Sequence, residues 1–202
     1  MKKILLGLVV LIASGFLAPK TKELTPEDRK FAVDYFIKTR ERLLKDVERL
    51  SPAQLNYKPD STRWSVAQCV EHITLAEGEL WQWCMMGLKN DTSSLKKPEK
   101  QITNEQLVAG VTDRTKKAQA PEALRPKNTF SNTQAALKVF LSKRDSTIAY
   151  LKTTQDPLRE RFMQTPIGLL DVYQGLLLLA AHSERHTLQL EEVMKSSGFP
   201  KK

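Results

Sequence analysis

Leu176, Leu179, His182, His186, Leu190 and Val193 recur at intervals of three and four residues, and this stripe constrains the chain more than any other stretch. A helix of that period carries all six side chains on one face, so both imidazoles project where the leucines project, into a core. Two histidines four positions apart on a helix are spaced to share one metal ion, which then needs a ligand from elsewhere. The chain has three histidines, and His72 is the one left to supply it. A pair of this spacing taken alone is more often packed or hydrogen-bonded than metal-binding. What favours a metal is that all three fall on inward stripes, where an unpartnered imidazole is costly.

Helical periods recur along the rest of the chain. Thr25-Pro26-Glu27-Asp28 joins an N-cap to proline and acids in the first turn, and Ala32, Phe36, Thr39, Leu43, Val47 and Leu50 follow up to Ser51-Pro52. Residues 51–54 read as a capped turn, and 55–64 as a loop carrying Tyr57 and Trp64. Ser65-Val-Ala-Gln68 is a capping box that opens a second helix, with Val66, Cys69, His72 or Ile73, Ala76, Leu80 and Trp83 inward. From Lys89 to Pro126 lysines and prolines dominate, which marks a crossover connection with one short helix from about Thr103 to Ala118, Leu107 and Val111 facing in. Residues 131–134 cap a third helix whose stripe is Leu137, Leu141, Arg144, Ile148 and Leu151. Thr165 to Gly168 is a turn, and the fourth helix runs from about Leu170 until Ser197-Gly198. No β-strand of consequence is expected. The class is therefore all-α: an up-and-down four-helix bundle over residues 25–200, with a long crossover between helices 2 and 3.

Arg144 stands where the period calls for an apolar residue. The simpler reading has it snorkel past its neighbours to the surface; the sharper one has it reach a cavity and bind an anionic substrate group. We expect the former. Glu71, Glu77 and Glu79 border the second stripe and are expected to be solvated. Gln68 and Gln189 could each steady an imidazole, although Gln68 already completes a cap and Gln189 has a simpler place in solvent. Trp81, Trp83 and Tyr173 could line a pocket, with core packing the default. Glu184 stands two places after His182 and points to the far side of the helix, so it is a poor general base.

The formal net charge is +9, but basic and acidic residues alternate along each helix, so nucleic-acid binding rests on charge alone and ranks last. Residues 1–18 have a basic start, an apolar run from Ile4 to Ile12 and then small residues. That is the pattern of a secretory signal peptide, with an uncleaved membrane anchor as the alternative. Cys69 and Cys84 fall fifteen positions apart on one helix, about 22 Å at the usual rise, and cannot bridge each other. They are expected to be free or to pair between chains. Cys69 is better read as a buried small hydrophobe than as a fourth metal ligand.

Arg63-Trp-Ser-Val-Ala-Gln-Cys-Val-Glu-His-Ile73, with Ala181-His-Ser-Glu-Arg-His-Thr-Leu-Gln-Leu-Glu-Glu-Val193 and the trailing Gly198-Phe-Pro200, resembles the DinB-like superfamily, metal-binding helical bundles that include the YfiT type and the thiol S-transferases. The resemblance covers about residues 25–200. It implies a four-helix bundle with a crossover and three ligands that fall on His72, His182 and His186, with zinc or nickel as the usual ion and dimers common. Some such relatives transfer low-molecular-weight thiols and others are regarded as metal hydrolases. The thiol transferases work in the cytoplasm, so an export signal favours metal-activated water. The expectation is an exported metal-dependent enzyme, hydrolase or transferase-like, acting on a small molecule. The alternative is a non-catalytic exported module that captures metal or a ligand, its basic loop from Lys89 to Lys127 meeting an anionic partner.

Overall fold

The structure, a computed structural model, describes residues 23–91, 95, 102–117 and 119–201; the signal peptide expected over 1–18 lies outside them, as does Ala118. Each long helix begins where its cap is written. Thr25 accepts the Asp28 N–H and places Pro26 in the first turn of α1 (Pro26–Val47). The Ser51 box opens the short α2 (Pro52–Asn56), and the Ser65 box opens α3 (Val66–Lys89). Asn132 caps α5 (Thr133–Thr153), and Asp171 with Gln174 forms the box of α6 (Val172–Met194). Between α3 and α5 lie α4 (Asn104–Thr112), which packs along α6, and a 3-10 turn at Glu122–Leu124 beside α3. α4 is shorter than the expected helix because Asp113 turns to extended backbone and its carboxylate accepts from the N–H and hydroxyl of Thr115. Leu107 is buried, and Val111 packs against the core.

The expected four-helix bundle is present. Arg29 at the start of α1 donates to the Leu151 and Thr154 carbonyls at the end of α5, so these helices run in opposite senses. Tyr173 reaches the Asp28 carbonyl and Arg42 reaches Glu191, so α1 and α6 run in the same sense. Contacts of Thr74 with the Ala136 carbonyl and of Trp81 with Tyr150 make α3 and α5 parallel as well. The first and second long helices therefore alternate in direction, as do the third and fourth, while the second and third share a direction, so the up-and-down order expected of the bundle does not hold between α3 and α5. α1 and α3 each pack on both α5 and α6 and face one another across the diagonal.

One expectation fails in the region before α6. A two-stranded antiparallel hairpin, β1 (Phe162–Thr165) and β2 (Gly168–Asp171), pairs Phe162 with Asp171 and Thr165 with Gly168. The turn was legible, since Gly168 takes φ +116°, which favours glycine. The strands were not, because four residues are too few for an alternation to stand out. The hairpin closes one end of the bundle, and Gly175 of α6 lets Met163 Sδ and Cys84 Sγ approach to within 2.6 and 3.0 Å of where a Cβ would stand.

Two apolar clusters fill the bundle, one around Phe36, Tyr173 and Leu176, the other around Leu43, Ile73, Phe140 and Leu190. A polar layer separates them. Arg144, fully buried, gives Nε and Nη2 to the two Glu77 oxygens at 2.7 Å each. It also donates to Thr39 at 2.7 Å and Ser183 at 2.7 Å, with Phe36 and Phe140 against its guanidinium plane. All four long helices are joined there. The expectation that Arg144 snorkels to the surface is therefore overturned, and so is its sharper rival, because every strong donor direction is filled by protein. Burial raises the Glu77 carboxyl above its ordinary value against the pull of Arg144. Glu77 and Glu71 are buried rather than solvated, whereas Glu79 is exposed.

Candidate metal centre

His72 sits two turns into α3, and its placement is fixed from outside the helix. Its Nδ1–H donates to the Leu124 carbonyl at 2.7 Å. The neighbouring Glu71 carboxylate accepts the backbone N–H groups of Lys127, Asn128 and Thr129 at 2.9, 3.3 and 2.8 Å. Adjacent residues of α3 thus clamp the segment 124–129, where Asn128 takes φ 58°, a conformation asparagine tolerates. Burial raises the Glu71 carboxyl, but its backbone donors together hold it below its ordinary value.

His186 is fixed within its own helix. Its Nδ1–H donates to Gln189 Oε1 at 2.8 Å, and Arg114 donates to the same oxygen at 3.4 Å, which sets the way the amide faces. Of the two readings of Gln189, the structure supports the one that steadies an imidazole. Gln68 keeps only its cap.

With both Nδ1 atoms protonated, Nε2 of His72 and of His186 each present a lone pair. These nitrogens are 3.1 Å apart, and His72 Nε2 lies 3.3 Å from His182 Nε2. One nitrogen from each of the three rings falls within a single 4.8 Å cluster. Two lone pairs cannot bond to each other, so a cation is the partner that suits them. Tetrahedral ligation by imidazole at about 2.0–2.1 Å puts neighbouring nitrogens about 3.3–3.4 Å apart, close to the spacing found. Burial, then the His72 imidazole and Arg185, lower the His182 value to about 3; burial, then the His182 and His72 imidazoles, depress His186 strongly, and burial also lowers His72. All three are neutral and free to ligate near pH 7.

The rings open on a cavity of about 830 Å³. Trp64 forms one wall, 4.9 Å from the His72 ring and 6.0 Å from that of His186. Trp81, Trp83 and Tyr173 pack in the core instead. Glu184 faces α1, accepting from Tyr35 at 2.7 Å and Arg42 at 3.0 Å, as its position on the far side of the helix requires. Cys69 and Cys84 are free and buried, with burial pushing both thiols up to about 12. Cys69 belongs to an apolar cluster and stands outside the ligand group. The sequence reading missed Trp64 as a wall, and missed Leu124 and Arg114 as supports; only the Arg63-Trp64 step ahead of the cap pointed that way.

The model of the DinB superfamily matches residues 35–190. The uncharacterized protein YuaE of Bacillus subtilis (strain 168) is 24% identical over 149 residues, covering 73% of this chain and 88% of its own. YfiT from Bacillus subtilis, a probable metal-dependent hydrolase with an unusual four-helix bundle topology, superposes with a TM-score of 0.60 at 16% identity, over 89% of this chain and 93% of that one. At that identity the likeness speaks for the fold. Among the described residues no helix is long and apolar enough to cross a membrane.

Proposed function

Since the chain belongs to the DinB superfamily, we propose that it is a metal-dependent hydrolase of a small molecule, with His72, His182 and His186 as the ligands of one divalent ion, zinc or nickel. The observation that carries this is the cluster of three imidazole nitrogens, two with their tautomers set by Leu124 and Gln189. Three nitrogen donors leave such an ion open coordination, through which it would polarise a carbonyl or activate a water. Leu124 and Gln189 orient two of the ligands. Trp64 keeps bulk water from one side of the rings and offers a face for the substrate. The structural likeness to YfiT, a probable metal-dependent hydrolase, supports the same reading.

Hydrolysis is preferred to thiol transfer because residues 1–18 have the pattern of an export signal. A closed, purely structural site is disfavoured because Cys69 supplies no fourth ligand and the rings face a cavity. The test is a screen of esters, amides and lactones with the reconstituted protein. Turnover that disappears with a chelator, returns with zinc or nickel and is missing in His186→Ala is expected. Turnover indifferent to chelation, or a wild type that takes up no metal, refutes the assignment.

A further inference from the structure

The cavity over the histidines is unbalanced in charge. Arg63, Arg114, Lys117, Arg125 and Arg185 line it against one carboxylate, Glu192. That carboxylate is already engaged: Arg114 gives Nε and Nη2 to its two oxygens at 3.1 and 3.0 Å, and Arg63 stands 3.9 Å away. Arg185 donates to the carbonyls of Val111, Asp113 and Lys116, which accounts for its place at the end of α4 without neutralising it. Among the described residues, Arg63, Lys117 and Arg125 have no comparable set of partners. Arg125 gives Nε to the Ala120 carbonyl at 3.1 Å and is otherwise exposed, as is Lys117, while the Arg63 contact with Glu192 is long.

These cations come from the loop before α3, the segment after α4, the end of the 3-10 turn and α6, yet they line one cavity. Gathering like charges at the mouth of a cavity is unfavourable unless an anion comes to it, and it raises the local concentration of anions. Its volume, about 830 Å³, suits a small molecule. We propose that the substrate carries a carboxylate or phosphate group, which Arg63, Lys117 and Arg125 anchor while its reactive end lies at the histidines. This rests on the metal-site reading above and adds the substrate's charge to it.

The test uses the zinc-loaded full chain and inhibitors that share one chelating head. Acetohydroxamate is neutral, succinic and glutaric monohydroxamates add a carboxylate, and 3-phosphonopropionyl hydroxamate adds a phosphonate. Calorimetric titration is expected to show at least one acid binding about tenfold tighter than acetohydroxamate, with the advantage shrinking at high salt. Which acid leads distinguishes carboxylate from phosphate recognition. In the Lys117→Ala/Arg125→Ala double variant, whose changes are on exposed side chains, the advantage is expected to fall below about threefold. Glu192→Gln, which releases Arg63 and Arg114, is expected to increase it. Acids that bind no tighter than acetohydroxamate to the wild type, or an advantage untouched in the double variant, overturn the anchor alone. If the chain takes up no zinc, the metal site fails and the anchor with it; if zinc is bound but no hydroxamate binds, the site lacks the open position that the anchor requires and the anchor is overturned.

Discussion

Arg144→Met tests whether the polar layer holds the bundle together. The substitution keeps most of the volume and removes a cation that contacts two Glu77 oxygens, Thr39 and Ser183 at 2.7 Å. Thr39 and Ser183 retain the Phe36 and Leu179 carbonyls as acceptors at 3.2 and 3.4 Å, so the loss concentrates on Glu77, left buried without its partner. Breaking a buried pair from one side costs about 3–5 kcal/mol, a large share of the roughly 5–15 kcal/mol that holds a domain folded. Removing both charges in Arg144→Met/Glu77→Leu avoids the stranded carboxylate and is expected to recover at least about 2 kcal/mol of that loss. Urea unfolding followed by far-ultraviolet circular dichroism measures all three proteins. The sign with pH is also fixed. Burial holds the Glu77 value above its unfolded one, and losing Arg144 raises it further. The single variant is thus most stable below the unfolded carboxyl value and loses stability as pH rises through the folded one. A single variant within about 1 kcal/mol of wild type, or a double variant as unstable as the single, refutes this account of the layer.

Other consequences are open to simpler assays. Glu71→Gln removes the charged acceptor of three backbone N–H groups and loosens the segment whose Leu124 carbonyl orients His72; a drop in metal affinity of about tenfold or more is expected by competition with a chelator. Cys69→Ala is expected to leave metal stoichiometry unchanged, since the thiol lies in an apolar cluster, and a lost ion in that variant would make Cys69 a ligand after all. Metal-free protein is expected to lose stability on acidification. His182 is lowered to about 3 in the folded chain from an ordinary value of 6.5, so the unfolded state binds the extra proton between those values and stability falls as pH falls through that window. A flat acid titration by circular dichroism contradicts that sign.

Much of this site was written in local sequence. The box at Ser65 and the periods of α3 and α6 place all three histidines inward without reference to anything distant, because caps and periodicity are local; the Asp171 box that opens α6 went unread. What escaped was whatever depends on partners far along the chain. Arg144 broke the apolar period of α5, yet its carboxylate is on α3 and its hydroxyls on α1 and α6, which no spacing within α5 reveals. Glu71 looked like one more surface acid because the N–H groups it accepts lie more than fifty residues away in a segment without periodicity. The cations of the cavity lie before α3, within the basic loop and on α6, and gain meaning only once α4 lies along α6.

The central claim is that three imidazoles hold one divalent ion. Elemental analysis of the reconstituted protein, combined with X-ray absorption at the metal edge, tests it directly. The account predicts one ion per chain with three nitrogen scatterers from imidazole at about 2.0–2.1 Å for zinc, and no retained ion in His72→Ala or His186→Ala. A wild type that stays metal-free after reconstitution, or a spectrum that needs sulfur or fewer than three imidazoles, contradicts it.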